Sequence, residues 1–141
     1  MKRFILFIIL CLPLSAIAQT TSFNKLMDKY SSMQDCTTII MEQEMLRSMG
    51  VTSGVDSVLV VSVESEGLLD KFKEDVALAT KGYSVMMTVN SGGEMVKIVS
   101  RSEGGKINEM IVLTISSDEG VAIRVTGNNL SLNEAMTLID M

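Results

Sequence analysis

Residues 83–126 read YSVMMTVNSGGEMVKIVSRSEGGKINEMIVLTISSDEGVAIRVT, and their pattern is the strongest indication of the fold class. Apolar and polar residues alternate along most of it, which is the period expected of strands. Short polar segments that contain glycine interrupt the alternation, as in antiparallel hairpins. The stretch therefore predicts a four-stranded meander, with strands from Tyr83 to Asn90, Glu94 to Arg101, Met110 to Ser116 and Val121 to Thr126.

The alternation also assigns faces to these strands. In the second strand, Val96 and Ile98 point one way while Lys97 and Arg101 point the other. The last strand predicts a core face and a wetter face, formed by Val121, Ile123 and Val125 and by Ala122, Arg124 and Thr126 respectively. We therefore expect one face of the sheet to be partly open to water and to carry Thr, Ser, Lys and Arg side chains as a candidate interaction surface.

The segment before the meander alternates between helical and extended patterns. The apolar run from Val55 to Val63 predicts a strand buried on both faces and central in its sheet. A helix capped by Ser65 follows, with Gly82 closing it. Its apolar stripe has the spacing i, i+3, i+7 and i+10 and consists of Leu69, Phe72, Val76 and Ala79.

Four further elements complete the order along the chain. Helical spacing predicts an opening helix from Phe23 to Tyr30, and β-branched residues predict a strand from Cys36 to Met41. A short helix from Glu42 to Met49 ends at Gly50. A last helix begins at Ser131, which forms a capping box with Glu134. The predicted fold is α+β, with a mixed, mainly antiparallel sheet, a meander in the C-terminal half and helices packed on one face.

The N-terminus has the three parts of a secretory signal. Lys2 and Arg3 precede an apolar run from Phe4 to Leu12, and small residues follow at Ala16 and Ala18. We predict cleavage between Ala18 and Gln19, which divides the chain into a signal peptide (1–18) and a single domain (19–141). The run is too short for a membrane span, although a buried N-terminal element and an uncleaved anchor are alternatives. The predicted location is the periplasm or the exterior.

The cysteines carry two smaller predictions. Leu10 precedes Cys11, where lipidation requires a small residue, so a lipoprotein is disfavoured. After cleavage, Cys36 is the only cysteine, and no intrachain disulfide can form. A buried, unreactive thiol is the main interpretation of Cys36, with an intermolecular disulfide or a reactive thiol as alternatives.

The charge balance bears on the partner. The full chain has 12 basic and 17 acidic residues, for a formal net charge of −5. Loss of Lys2 and Arg3 with the signal makes the net charge −7. A negative balance disfavours nucleic acid and anionic membrane surfaces as partners. An unknown protein partner in the cell envelope is the partner that we predict, and no later segment is apolar enough to span a membrane.

The residue types limit the chemistry. The chain contains no histidine, which excludes Ser-His and Cys-His nucleophiles and the commonest metal ligand. Two close carboxylate pairs, Glu42 with Glu44 and Glu64 with Glu66, are weak candidates for acid–base catalysis. The glycine pairs do not precede helices with phosphate-loop spacing. We therefore predict no cofactor, no catalytic residue and no enzymatic activity.

Methionine offers one weak site. Met41, Met45 and Met49 have the spacing i, i+4 and i+8 and would align on one face of a helix. Thioethers in such a row are suited to monovalent copper, whereas a stripe of flexible core residues explains the same spacing. A small-ligand or metal binder is therefore the alternative function. Ser57, in Asp56-Ser57-Val58, also resembles an O-glycosylation acceptor, but its place at the start of a buried strand disfavours modification.

The layout of the whole chain resembles the domain-of-unknown-function family 4252, which comprises small exported proteins of Gram-negative bacteria. The resemblance lies in the signal peptide, the helix Phe23 to Tyr30, the strand Thr38 to Met41 leading into Met45-Leu46, the run Val58 to Val63, the helix through Phe72, the segment Tyr83 to Val89, and the segments Asn108 to Val112 and Gly127 to Leu132. The family implies an exported, non-enzymatic domain and supplies no catalytic residues. The expected function is a non-catalytic interaction module that acts through the open sheet face or the methionine-bearing helix.

Overall fold

A computed structural model describes residues 23–50, 54–131 and 133. Its centre is one six-stranded sheet in which the strands are ordered β1-β2-β6-β5-β4-β3. The strands are β1 (Cys36–Glu42), β2 (Val55–Val63), β3 (Ser84–Ser91), β4 (Glu94–Glu103), β5 (Lys106–Ile115) and β6 (Gly120–Gly127). The described helices are α1 (residues 23–31), α2 (Gln43–Ser48) and α3 (Glu66–Ala79). The predicted α+β class is confirmed.

The meander forms as the alternation predicts, with β3, β4, β5 and β6 adjacent in chain order. Gly92 and Gly93 both have positive φ, and they join β3 to β4 in a two-residue turn. Strand β6 then pairs with β2, and β2 with β1. Every described pairing is antiparallel, so the sheet contains none of the parallel pairs that a mixed sheet would have. Strands β1 and β3 form the two edges.

One face of the sheet is covered by α1 and α3, and we call it the helix-covered face. The predicted stripe of α3 is confirmed, because its four apolar residues are all buried. Phe72 packs edge-on against Tyr30 of α1, with ring centroids 5.3 Å apart. The sheet residues of this cluster come from four strands and are Leu59, Val61, Val63, Val99, Ile111, Leu113, Ile115 and Ala122.

The other face holds a second apolar cluster, so the sheet buries side chains on both sides. Val58, Ile98, Val112 and Val125 contribute to it from the strands. Leu46 of α2 is buried in this cluster. The prediction that helices pack on one face therefore describes α1 and α3, whereas α2 packs on the opposite face.

This arrangement corrects the predicted polar face. Lys97 pairs with Leu113, Arg101 with Glu109 and Arg124 with Ile111 in the strand register. Because Ile111 and Leu113 belong to the helix-covered cluster, the Lys and Arg side chains lie on the helix-covered face. The other face is mainly apolar.

The predicted face assignment of β6 was wrong for the same reason. Ala122 is fully buried, while Val121 and Ile123 are partly exposed. Val125 is buried as predicted. Strand β6 is an interior strand of a sheet that is covered on both sides, so a simple division into a core face and a wet face does not apply to it.

Strand β2 is interior as predicted, flanked by β1 and β6. Val58 contributes to one cluster and Leu59 and Val61 to the other, which explains the continuous apolar run. The signal peptide, its cleavage site at Ala18 and Gln19, Cys11, and the last helix beyond Ser131 lie outside the described residues, except for Asn133, which is helical. In the described ranges, no helix has the length and hydropathy to cross a membrane.

Candidate interaction surface

The exposed large apolar side chains gather at the two edges of the sheet. Seven of the eight such residues in the described ranges belong to the edge strands, to α2, which follows β1 directly, or to the residue that caps the C-terminus of α2. They are Ile39 and Ile40 on β1, Met45 on α2, Met49 at the end of α2, and Val85, Met86 and Val89 on β3; the eighth is Leu78 on α3. The interior strands expose none of comparable size.

Strand β1 is a regular edge. Its seven residues pair with β2 in continuous register, without a bulge. Ile39 and Ile40 are 45% and 61% exposed, and they point to opposite faces because successive residues of a strand alternate. Natural edges usually carry a bulge, a proline or an inward charge that blocks pairing with another chain. Strand β1 has none of these, and its single charged residue, Glu42, stands at its end.

Helix α2 extends this apolar surface. Leu46 anchors the helix in the second cluster, while Met45 is 54% and Met49 46% exposed. Flexible thioether side chains adapt to partners of different shape. We define the β1–α2 edge as Ile39, Ile40, Met45 and Met49 together with the unpaired side of β1.

The predicted methionine row does not form on one helical face. Met41 belongs to β1, and its side chain packs against the second cluster. Only Met45 and Met49 lie on or next to α2. The helical spacing was misleading because the strand continues through Glu42 before the helix begins. In the part of the chain that the structure describes, no group of three or more Cys, Asp or Glu side chains is arranged to hold a metal ion.

Strand β3, the other edge, contains no charged residue. Its register shifts between Val85 and Met87, so a bulge at Met86 interrupts the pairing with β4. Bulges twist an edge away from flat pairing. This edge is therefore less suited than β1 to accept a further strand.

The two candidate carboxylate pairs lie at separate places in the fold. Glu42 ends β1 and Glu44 lies in the first turn of α2, while Glu64 and Glu66 flank Ser65 at the start of α3. All four are exposed. Because Glu42 is paired with Ser57 and Cys36 with Val63, the two pairs lie at opposite ends of the β1–β2 ladder. They do not face each other across a cleft.

A buried polar cluster that the sequence pattern did not predict lies on the helix-covered face. Glu109 is 5% exposed and is the only buried charged residue in the described ranges. Arg124 Nε donates to Glu109 Oε1 over 3.0 Å, and the Tyr83 hydroxyl donates to both carboxylate oxygens. The Arg101 guanidinium lies 4.4 Å from the centre of the Tyr83 ring. These groups satisfy one another, as buried charges must.

Burial raises the pKa of Tyr83, and the hydrogen bond to Glu109 and its negative charge raise it further. Arg101 and Arg124 act in the opposite direction but do not cancel the effect. The phenol thus stays protonated and keeps donating to the carboxylate. The sequence signal for this buried acid was the alternation along β5, which places Glu109 on the same face as three core residues. These residues are Ile111, Leu113 and Ile115.

A second polar contact joins the two helices on this face. Asp75 of α3 accepts from Lys29 at 2.8 Å and from the Tyr30 hydroxyl at 2.7 Å. Burial alone would raise the pKa of Asp75, but hydrogen bonds from Lys29 and Tyr30 outweigh it and hold the pKa below its usual value. The pair fixes α1 against α3.

The structure also shows how far Cys36 and Ser57, the other two residues singled out in the sequence, are buried and what they contact. Cys36 is a free, partly buried thiol that packs against the helix-covered cluster. Burial and, to a lesser degree, the charge of Asp35 raise its pKa, which disfavours the reactive thiolate. The Ser57 side chain is half-buried and hydrogen-bonded to Thr126.

Comparison with models of protein families gives a match. A family model described as "Domain of unknown function (DUF4252)" covers residues 20–138 of the chain. No curated protein matches the chain. The match spans every described element and most of the domain predicted from residue 19 onward.

Proposed function

We propose that this chain, which belongs to the DUF4252 family, is an exported, non-catalytic module that binds a protein partner in the cell envelope through the β1–α2 edge. The observation that carries the proposal is the unprotected edge strand β1, with Ile39 and Ile40 exposed on its two faces. The expected absence of catalysis is part of the proposal.

Export is supported by the order of charged, apolar and small residues in positions 1–18. The test is to fractionate cells that express the full chain and to determine the N-terminal residue of the protein recovered. Recovery from the periplasm or the medium with Gln19 at the N-terminus is the expected result. Recovery from the cytoplasm with Met1 intact would contradict export.

The backbone of β1 favours a polypeptide as the ligand. Alternate residues of an edge strand direct their N–H and C=O groups away from the sheet, where an extended segment can pair with them. Ile39 and Ile40 would then contact alternate side chains of the added strand on its two faces. Met45 and Met49 add adaptable apolar area beside it. The acidic balance of the chain disfavours nucleic acid in the same role.

The decisive experiment compares two variants in which lysine replaces exposed apolar residues at different places on the surface. The Ile39→Lys/Ile40→Lys variant places charges on both faces of the edge, which natural proteins use to block strand pairing. Leu78→Lys is the matched control, since Leu78 is a more exposed apolar residue on α3, away from the edge. Crosslinking in intact cells, followed by quantitative mass spectrometry, measures the partner captured by each.

We expect one dominant envelope protein to be captured by the unchanged chain and by Leu78→Lys but lost with the Ile39→Lys/Ile40→Lys variant. Equal capture by both variants would contradict the proposed surface. Thermal unfolding of each variant checks that the fold is retained, as expected for exposed positions. The non-catalytic part would be overturned by a turnover that disappears when Glu42 or Glu44 is neutralised.

A further inference from the structure

A cleft of about 150 Å³ opens on the helix-covered face between α3 and strands β4 and β5. Its apolar lining includes Val76 and Ala77 from α3, Val99 from β4, and Leu113 from β5. Val76, Val99 and Leu113 are nearly inaccessible to solvent, whereas Ala77 is exposed at the opening. The cleft lies on the far side of the sheet from Met45 and Met49, so it is independent of the β1–α2 edge.

Two lysines border the cleft from opposite sides. Lys73 comes from α3 and Lys97 from β4. In the described ranges, ion pairs within 4.0 Å occur only between Lys29 and Asp75 and between Arg124 and Glu109. Neither Lys73 nor Lys97 therefore has a carboxylate partner there. The cleft is thus bordered by two ammonium groups that have no carboxylate within 4.0 Å in the described ranges, although Glu94 lines the hollow next to it.

The cleft continues into a second hollow that is open to solvent. This hollow shares Lys73 and Met95 with the cleft and is bordered by the turn at Gly92 and Gly93. A ligand can therefore place an apolar part in the cleft while its polar end remains beside Lys73 and water.

We infer that this cleft binds a small amphipathic carboxylate, with an apolar part of about six carbons and the carboxylate held between Lys73 and Lys97. The size follows from the volume, since an apolar cavity of about 150 Å³ accepts a molecule such as benzene. The charge follows from the unpaired ammonium groups, which form charge-assisted hydrogen bonds with carboxylates. An apolar pocket with a few convergent polar groups is the usual form of a small-molecule site.

The test uses protein purified after expression of the full chain and titrated with butanoate, hexanoate and decanoate. Calorimetry gives the affinity, and the methyl NMR signals of Val76, Ala77, Val99 and Leu113 give the position of the ligand. We expect saturable binding that tightens from butanoate to hexanoate and changes little from hexanoate to decanoate, with shifts confined to these methyl groups. Hexanol, which has the same chain without the charge, is the neutral comparison and should bind at least about tenfold more weakly.

Two variants and a control locate the site. Ala77→Trp fills the opening of the cleft and should abolish hexanoate binding. Lys73→Gln/Lys97→Gln should weaken hexanoate binding by at least about tenfold, since the loss of a single hydrogen bond to a charged group lowers affinity by about this factor. Lys71→Gln removes an exposed charge from the same helix outside the cleft and should leave binding unchanged.

Absence of saturable binding with all three carboxylates would overturn the inference. So would hexanol binding as tightly as hexanoate, or unchanged hexanoate binding in the double lysine variant. The double lysine variant keeps the test valid if Ala77→Trp disturbs the fold, because Lys73 is exposed and Lys97 half-buried, and neither forms an ion pair in the described ranges. The fold of each variant is checked by thermal unfolding.

Discussion

The Tyr83 hydroxyl lies 2.8 Å from Oε2 of Glu109, joining the residue before β3 to the middle of the sheet across 26 positions of sequence. Arg124 on β6 completes the contact from the other side of Glu109. Three segments are thus tied together by one buried carboxylate: the connection from α3 to β3, strand β5 and strand β6. The cluster lies on the helix-covered face, and its partners are mutually satisfied.

Removing the carboxylate should destabilise the fold strongly. In Glu109→Ala, the Arg124 guanidinium would keep little access to water but lose its partner, and breaking a buried pair in this way costs about 3–5 kcal/mol. Chemical denaturation of the variant and the unchanged protein measures the difference in unfolding free energy. A loss below about 1 kcal/mol would show that water replaces the carboxylate without penalty.

The double variant Glu109→Met/Arg124→Leu separates the charge from the volume. It removes both charges while keeping apolar volume, and such replacements are often nearly neutral. We expect it to be more stable than Glu109→Ala in the same denaturation experiment. A double variant as unstable as the single one would assign the loss to packing, or to the Tyr83 hydroxyl left without its acceptor.

Tyr83→Phe should reduce the dependence of stability on alkaline pH. The folded state raises the pKa of Tyr83 above its ordinary value, so the folded state favours the protonated phenol. This contribution is complete below about pH 10, the unfolded value, and is lost as pH rises from there. We expect the unfolding free energy of the unchanged protein to fall more steeply above about pH 10 than that of the variant. Equal slopes of unfolding free energy against pH in the two proteins would contradict the assignment of this loss to Tyr83.

Tyr30 provides the comparison for this experiment. Its pKa is also raised, first by burial and then by its hydrogen bond to Asp75, so an alkaline slope should persist in Tyr83→Phe. The double variant Tyr30→Phe/Tyr83→Phe should have the flattest curve of the three.

Phe72→Ala tests the core of the helix-covered face. Phe72 is fully buried and packs edge-on against Tyr30. Truncating a buried phenylalanine leaves a cavity and costs about 3–5 kcal/mol. Leu78→Ala on the same helix is the control, because Leu78 is 70% exposed and should change stability by less than about 0.5 kcal/mol. Similar losses in the two variants, measured by denaturation, would contradict the packing described for α3.

Gly127→Ala should destabilise the protein through a backbone clash. A Cβ at Gly127 would lie 2.0 Å from the carbonyl oxygen of Gly54, and this oxygen accepts a hydrogen bond from Asn128 N–H over 2.8 Å. Overpacking costs about 1–3 kcal/mol, and a clash with backbone should reach the upper end of this range. The thermal midpoint measures the loss.

Gly67→Ala is the matched control with the opposite expected sign. Gly67 lies in α3, and a Cβ there would come no closer than 3.8 Å to Ser65 Oγ. Alanine favours a helix over glycine by up to about 1 kcal/mol, so the midpoint should rise or stay unchanged. A Gly127→Ala variant as stable as Gly67→Ala would show that residues 54 and 127 separate easily.

The elements of this fold follow closely from local sequence pattern. The buried stripe of α3, the interior position of β2 and the glycine turn at Gly92 and Gly93 were all predicted, because periodicity and turn chemistry are properties of neighbouring residues. The candidate surface was predicted only in part. Exposed Met45 and Met49 agree with the methionine-bearing helix as a surface, whereas Met41 does not, since a spacing of four residues does not reveal where a strand gives way to a helix.

Which face of the sheet the helices cover was harder to predict than where the helices and strands lie in the sequence. Lys97 and Arg101 were expected on an open polar face, but register places them on the face that the helices cover. A strand pattern shows which residues share a side, but it does not show which side a helix will cover. Glu109 was missed for the same reason, because its burial depends on Tyr83 and Arg124, which reach it from other segments.

The order and type of the described elements, their turns and the α+β class could be predicted from the sequence, because these depend on side-chain period and backbone preference over a few residues. The folded structure was needed to show that β6 returns to pair with β2, which leaves β1 and β3 as edges and exposes Ile39 and Ile40. It also shows that both faces of the sheet are buried and that Glu109 meets Arg124. The physical reason is that pairing partners and burial depend on contacts between residues far apart in the chain, which no local pattern contains.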